Sequence, residues 1–179
     1  YPRADLAALF AAIATAECEW RKAGPQTWVG VCTEILHRIN RQSFLFANAV
    51  MHTAGQAFMM AFQAGGPHAQ DRGLEAVAYA WAEVRKIPAK ALWEKPQGKH
   101  EPLRMEKHFR IVPRGIGLVI GCCTFPTWNG FPGLFADLAT GIGARGVEVA
   151  QRRRTQSAPG GGGQRLFDAG LGLGIGTDR

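Results

Sequence analysis

The sequence predicts an α/β protein with a helical N-terminal layer, and two observations carry that reading. Apolar residues recur at helical spacing in successive stretches as far as Lys86. The period then changes: a continuous apolar run from Ile116 to Cys122 has strand length, and a helical stretch begins near Pro132. Helices followed by strand, turn and helix mark the start of an α/β sheet layer. With 179 residues, of which 46% are hydrophobic, the chain is long enough for one domain with a core.

The elements follow in order. Asp5 is placed to cap a helix reaching Lys22, with Leu6, Leu9, Phe10, Ile13 and Trp20 on one side. Ala23-Gly24-Pro25 ends it, and a second helix carries Trp28, Cys32, Ile35, Leu36 and Ile39. A third opens near Ser43 with Phe44, Ala47, Val50 and Met51, and Gly55 breaks it. Residues 56–63 add another turn or two before Gly65-Gly66-Pro67. Pro67 suits the first turn of a helix to Lys86, with Leu74, Val77, Trp81 and Val84 on one face. The Trp and Met residues of these helices are expected in the core.

Residues 93–103 are polar and contain prolines, which predicts a loop. Residues 107–112 alternate and predict a strand, and Pro113-Arg114-Gly115 a turn. Ile116–Cys122 is expected as a buried strand. A Pro-Thr-Trp-Asn turn follows, then a helix from Pro132 to Thr140 with Leu134, Phe135 and Leu138 inward. Beyond Gly141 the pattern stops. Residues 142–179 hold ten glycines and one aromatic, too little apolar surface to offset an ordering cost of about 1–2 kcal/mol per residue, so disorder is expected there.

Charge and cysteine content narrow the function classes. The net charge is +7, but the Lys residues and most acids are mixed along residues 1–141, whereas residues 142–179 carry six Arg, no Lys and three acids. That is a bias in composition rather than a patterned nucleic-acid face. No apolar run reaches membrane-spanning length, and Tyr1-Pro2-Arg3 is neither an initiator Met nor a signal peptide, so the chain reads as cut at its N-terminus. Cys18, Cys32, Cys122 and Cys123 lack metal-ligand spacing and read as reduced thiols of a cytoplasmic protein. The five histidines are scattered, so no metal is expected, and no Ser or Cys sits in a nucleophile elbow.

Gly141-Ile142-Gly143-Ala144-Arg145-Gly146 matches a dinucleotide fingerprint, but it follows a helix where the phosphate loop must follow a strand, and it reads as chance. Asn129-Gly130 alone is a common turn pair. Its context is an apolar strand that delivers Trp128 and Asn129 to a sheet edge, where ligands bind. A carboxamide N–H held there can donate to a developing oxyanion, worth about 3–4 kcal/mol where such donors have been removed.

The stretch from Val112 to Gly121, then Thr124-Phe125-Pro126-Thr127-Trp128-Asn129-Gly130-Phe131-Pro132-Gly133-Leu134-Phe135 and Leu138-Ala139-Thr140-Gly141, resembles the aldehyde dehydrogenase superfamily. There a strand leads into a Pro-Trp-Asn turn and a helix ending in Ala-Thr-Gly. The likeness is closest to the ring-opening aldehyde dehydrogenases of phenylacetic acid degradation. Thr127 stands where the wider superfamily has Pro, and Pro132 sits one residue later, as in that branch. Upstream blocks agree in order: Ala49–Thr53, Gly55–Phe58, Gly65–Arg72 and Trp93–His100. The resemblance covers about residues 5–141.

The resemblance implies a doubly wound cofactor-binding domain and NAD or NADP as cofactor. In the family a Cys thiolate attacks the aldehyde, hydride passes to the cofactor, and a Glu-activated water releases the acid. Asn129 matches the oxyanion-holding Asn. Phe125, Thr127 and Trp128 match the segment along the nicotinamide end of the cofactor. An aldehyde substrate and a homo-oligomer are implied for the intact parent, with no membrane or nucleic-acid partner.

Departures from the family pattern begin at Ile142, where it continues with Asn and a second strand ending in Lys-Pro; no Lys follows Lys107. The catalytic Cys and Glu are expected beyond the end of the chain. The division is therefore residues 1–105 as the helical N-terminal part, 106–141 as the start of the cofactor-binding domain, and 142–179 as a Gly/Arg-rich aberrant tail, read as a frameshift product. The piece itself is expected to be inactive and to hold no cofactor tightly. Two alternatives are a small basic protein that binds nucleic acid or a partner through the Arg-rich tail, and a remnant that docks on full-length subunits.

Overall fold

A computed structural model describes residues 5–149. Five helices come first: α1 (Leu6–Ala23), α2 (Pro25–Asn40), α3 (Ser43–Ala54), α4 (Phe58–Gly65) and α5 (Pro67–Val84). Strands β1 (Lys90–Gln97) and β2 (His100–His108) follow, then β3 (Ile116–Cys122), α6 (Pro126–Ala139) and β4 (Gly143–Val149). Local chemistry explains the helix boundaries. Asp5 Oδ1 accepts from the backbone N–H of Ala7 at 2.9 Å and of Ala8 at 3.3 Å, capping α1. Pro25 and Pro67 open α2 and α5 in their first turns. Gly55 ends α3 in the left-handed conformation, φ 65°.

The core lies where α2, α5 and α6 meet, with Cys32 and Leu36 from α2, Ala69, Val77 and Ala80 from α5, and Phe131, Phe135 and Ala139 from α6. Phe131 and Phe135 pack edge to face, centroids 5.5 Å apart. Close approach depends on Gly73, where a Cβ would lie 2.9 Å from both Leu36 Cδ2 and Phe135 Cδ2. The buried polar pair is satisfied: Gln70 Nε2 donates to Ser43 Oγ at 3.0 Å, and Ser43 Oγ donates to the Asn40 carbonyl at 2.7 Å. Trp28 is fully buried, and its Nε1 donates to the Trp20 carbonyl at 2.6 Å.

Several sequence expectations change. The predicted loop over 93–103 and strand over 107–112 are replaced by an antiparallel hairpin of β1 and β2, turning at Gly98 with φ 65°. Pro96 and Pro102 fall in the irregular stretch between the pairs Lys95↔Leu103 and Gln97↔His100, where a missing N–H is tolerated. Cross-strand ion pairs Lys90–Glu106 and Glu94–Arg104 line the hairpin. Phe10, Phe44 and Leu74, expected inward, are exposed, as are Met59 and Met60. Small residues take their place: Ala47, Ala61, Ala64, Ala69 and Ala80 let the helices pack closely.

The α/β unit forms as β3, α6, β4, with β3 and β4 parallel in register from Ile116↔Gly143 to Cys122↔Val149. Strand β3 is not buried as expected: Ile116, Leu118 and Ile120 are 42%, 64% and 61% exposed. Its other face meets α6, where Gly133 closes on Val119 and Gly121 on the Pro126 carbonyl. One face is covered and one is open among the described residues, so a two-face apolar run is half used. The helix expected from Pro132 begins at Pro126, which makes the Pro-Thr-Trp-Asn segment its first turn. Pro132 lies inside it and withholds the N–H that would otherwise bond the Trp128 carbonyl. The tail boundary at Gly141 falls just before β4, so pairing extends through Val149. Backbone pairing needs no particular side chains, which is why composition concealed this strand. Residues 150–179 lie outside the described residues.

Candidate functional site at the end of strand β3

The candidate site is the junction where β3 ends at Cys122 and α6 begins at Pro126. In a parallel pair connected by a helix, the carboxyl ends of the strands are where ligands are received. The tip is fixed from outside by the helical layer. Thr127 Oγ1 donates to the Gly65 carbonyl at 3.1 Å, with the Ala64 carbonyl at 3.5 Å. These are terminal carbonyls of α4, which have no later N–H in their own helix. Gln56, in the α3–α4 connection, donates from Nε2 to the Thr124 carbonyl. Two hydrogen bonds from one small region thus hold a segment more than sixty residues away in sequence.

The expected site residues are brought together, but with different roles. Phe125 and Trp128 meet edge to face, centroids 5.6 Å apart and planes at 82°. Trp128 keeps an exposed indole surface. The Thr127 hydroxyl is engaged with α4, so this residue anchors the tip. Asn129 lies on the exposed side of the first turn of α6. Its Nδ2 donates to the Phe125 carbonyl at 3.1 Å and to Cys122 Sγ at 3.0 Å. A carbonyl oxygen only accepts, so the nitrogen end of the carboxamide is the end that faces Phe125.

Sequence reading missed Gln56 and Cys122. Gln56 falls in one of the blocks that carry the resemblance, but nothing in its spacing points across to Thr124. Cys122 reads as a strand-end thiol, and its contact with Asn129 is made from within α6, which begins at Pro126 rather than Pro132. The other thiols are separate. Cys32 is buried in the core, and burial pushes its thiol up to about 12. Cys18 borders a cavity of about 390 Å³ between α1 and residues 110–113, which shares no residue with the β3 tip. Among the described residues no three His, Cys, Asp or Glu side chains gather to hold a metal. No described helix is long and apolar enough to cross a membrane. The segment Gly141–Gly146 follows α6 and runs into the first residues of β4, so it lacks the strand-to-helix setting of a phosphate loop.

Among solved structures, the chain is similar to the NAD-dependent aldehyde dehydrogenase from Burkholderia multivorans, with 67% sequence identity over 83% of this chain and a TM-score of 0.76. The fold is that of the N-terminal part of an aldehyde dehydrogenase. The match covers 26% of the Burkholderia multivorans chain, so this sequence spans about a quarter of the structure it matches. No protein-family model matches it, and no curated protein does. The aldehyde dehydrogenase likeness read from the β3–α6 motif and the upstream blocks is thus supported at the level of the superfamily. The same fold accounts for the half-covered strand. A parallel sheet takes helices on both faces, and the described residues supply one.

Proposed function

We propose that this chain is the N-terminal part of an NAD(P)-dependent aldehyde dehydrogenase that oxidises a semialdehyde to an acid in phenylacetate catabolism. The observation that carries the proposal is the β3–α6 junction: a carboxamide donor, two aromatic rings and a clamped turn at the carboxyl end of a parallel strand. The likeness to an NAD-dependent enzyme at 67% identity supports it. The phenylacetate branch rests on Thr127 and the placing of Pro132, together with the upstream blocks.

In this reading Asn129 donates Nδ2–H to the aldehyde oxygen as negative charge develops on it. A fixed donor there favours the transition state over the neutral carbonyl. The exposed indole of Trp128, braced by Phe125, offers a flat apolar surface that suits the nicotinamide end of the cofactor. Thr127 and Gln56 keep that surface and Asn129 from moving apart. NAD or NADP, when bound, accepts the hydride. The intact enzyme is a cytoplasmic homo-oligomer acting on a small aldehyde.

The chain as given is proposed to be inactive. The family's nucleophilic Cys and its base Glu have no counterpart in the 179 residues, and the tail after Gly141 is read as a shifted frame. Cys122 is not proposed as the nucleophile, because the resemblance places the family's catalytic Cys outside the β3–α6 junction. Purified 1–179 with NAD or NADP and a panel of aldehydes is expected to give no reduced cofactor. Resequencing the coding DNA past Gly141 is expected to reveal, in another frame, an Asn and a strand ending in Lys-Pro. Turnover by the purified chain would overturn the claim of inactivity, and absence of that strand from both other frames would overturn the frameshift.

A further inference from the structure

Asn129 and Cys122 meet at the end of β3, carboxamide nitrogen to sulfur. The carboxamide nitrogen carries two hydrogens, and both have acceptors: the Phe125 carbonyl at 3.1 Å and Cys122 Sγ at 3.0 Å. The first acceptor is backbone and fixes which end of the amide is nitrogen. The second is a thiol, a weak acceptor that a stronger one displaces. An exposed Asn side chain with only the first bond would still turn about its side-chain torsions. With both, the second N–H is held towards the Cys122 sulfur.

We infer that Cys122 is a positioning residue for Asn129, its sulfur holding in place the amide hydrogen that an oxyanion would claim. Its catalytic meaning rests on the reading of Asn129 as the oxyanion donor, whereas the contact itself does not. Cys122 thereby sets the direction of the donor without touching substrate. Cys123, the adjacent thiol, follows the last residue of β3 and is the less exposed of the two.

Side-chain amide spectra of the 15N-labelled full chain test this directly. The sequence holds three asparagines, Asn40, Asn48 and Asn129, so Asn129→Asp identifies the relevant NH2 pair by its loss. Cys122→Ala is expected to move the Asn129 proton pair towards the shifts of a free carboxamide, with backbone resonances of the core unchanged. Cys122→Ser, whose hydroxyl also accepts, is expected to keep the pair away from the shifts of a free carboxamide, and Cys123→Ala to leave it where it is. An unmoved pair in Cys122→Ala overturns the inference. So does an equal displacement in Cys122→Ser, which would make the effect one of sulfur's volume rather than its acceptor role. The spectra need no turnover, so the contact can fail while the oxyanion reading stands, and the reverse.

Discussion

Asn129 shows how one side chain's role depends on a helix boundary. The sequence supports two readings of Asn129-Gly130, a bare turn and a presented donor. The structure starts α6 at Pro126, which puts Asn129 one turn in and its carboxamide over Cys122. Gly141 is fixed as tightly. It has φ 81°, and a Cβ there would lie 2.5 Å from both Pro113 Cγ and Trp28 Cζ2. Gly141→Ala is expected to destabilise the chain by about 1–3 kcal/mol, read from urea midpoints. Asp137 gives a prediction in pH. Burial raises its carboxyl above the ordinary carboxylate range. In the window between the unfolded value and the raised folded one, the folded chain retains a proton that the unfolded chain has lost, so stability falls as pH rises through it. Asp137→Asn should therefore raise the melting temperature above that window and not below it. Cys32, buried in the core, should resist thiol reagents until the chain unfolds, while Cys18 and Cys122 react in the native state.

At the scale of elements, amphipathic period and punctuation made the helices legible: Asp5, Gly24-Pro25, Gly55 and Gly66-Pro67 sit at or beside boundaries the structure confirms. Inward faces were less legible, because Ala and Gly carry the close contacts while Phe10, Phe44 and Leu74 remain exposed. The hairpin escaped notice since its prolines argue against strand, and only pairing shows that they share one irregular stretch. The clamp of Gln56 and Thr127 on the β3 tip was invisible for another reason: it joins positions whose proximity only the fold creates. Two consequences follow. Phe135, fully buried between α2 and α5, should destabilise the fold by about 3–5 kcal/mol when replaced by Ala. The hairpin, mostly exposed and two strands wide, should exchange its amide hydrogens far faster than α5 and α6.

At the scale of the whole molecule, the helical layer and the first β–α–β unit depend on each other. Helices α2 and α5 build the core with α6, and α4 pins the turn on which the donor and the aromatic pair stand. The open face of β3, with Ile116, Leu118 and Ile120 exposed, is what a parallel strand looks like with one of its two helical layers. The donor role of Asn129 can be measured in a hybrid chain, residues 1–141 of this protein joined to the remainder of the Burkholderia multivorans enzyme, assayed for reduced NAD formed from aldehydes. Turnover by the hybrid is expected, with a fall in kcat of about 10²–10³-fold on Asn129→Ala, the loss typical of a removed oxyanion donor. A folded, cofactor-binding hybrid that turns over equally well with and without the Asn129 carboxamide would contradict that role.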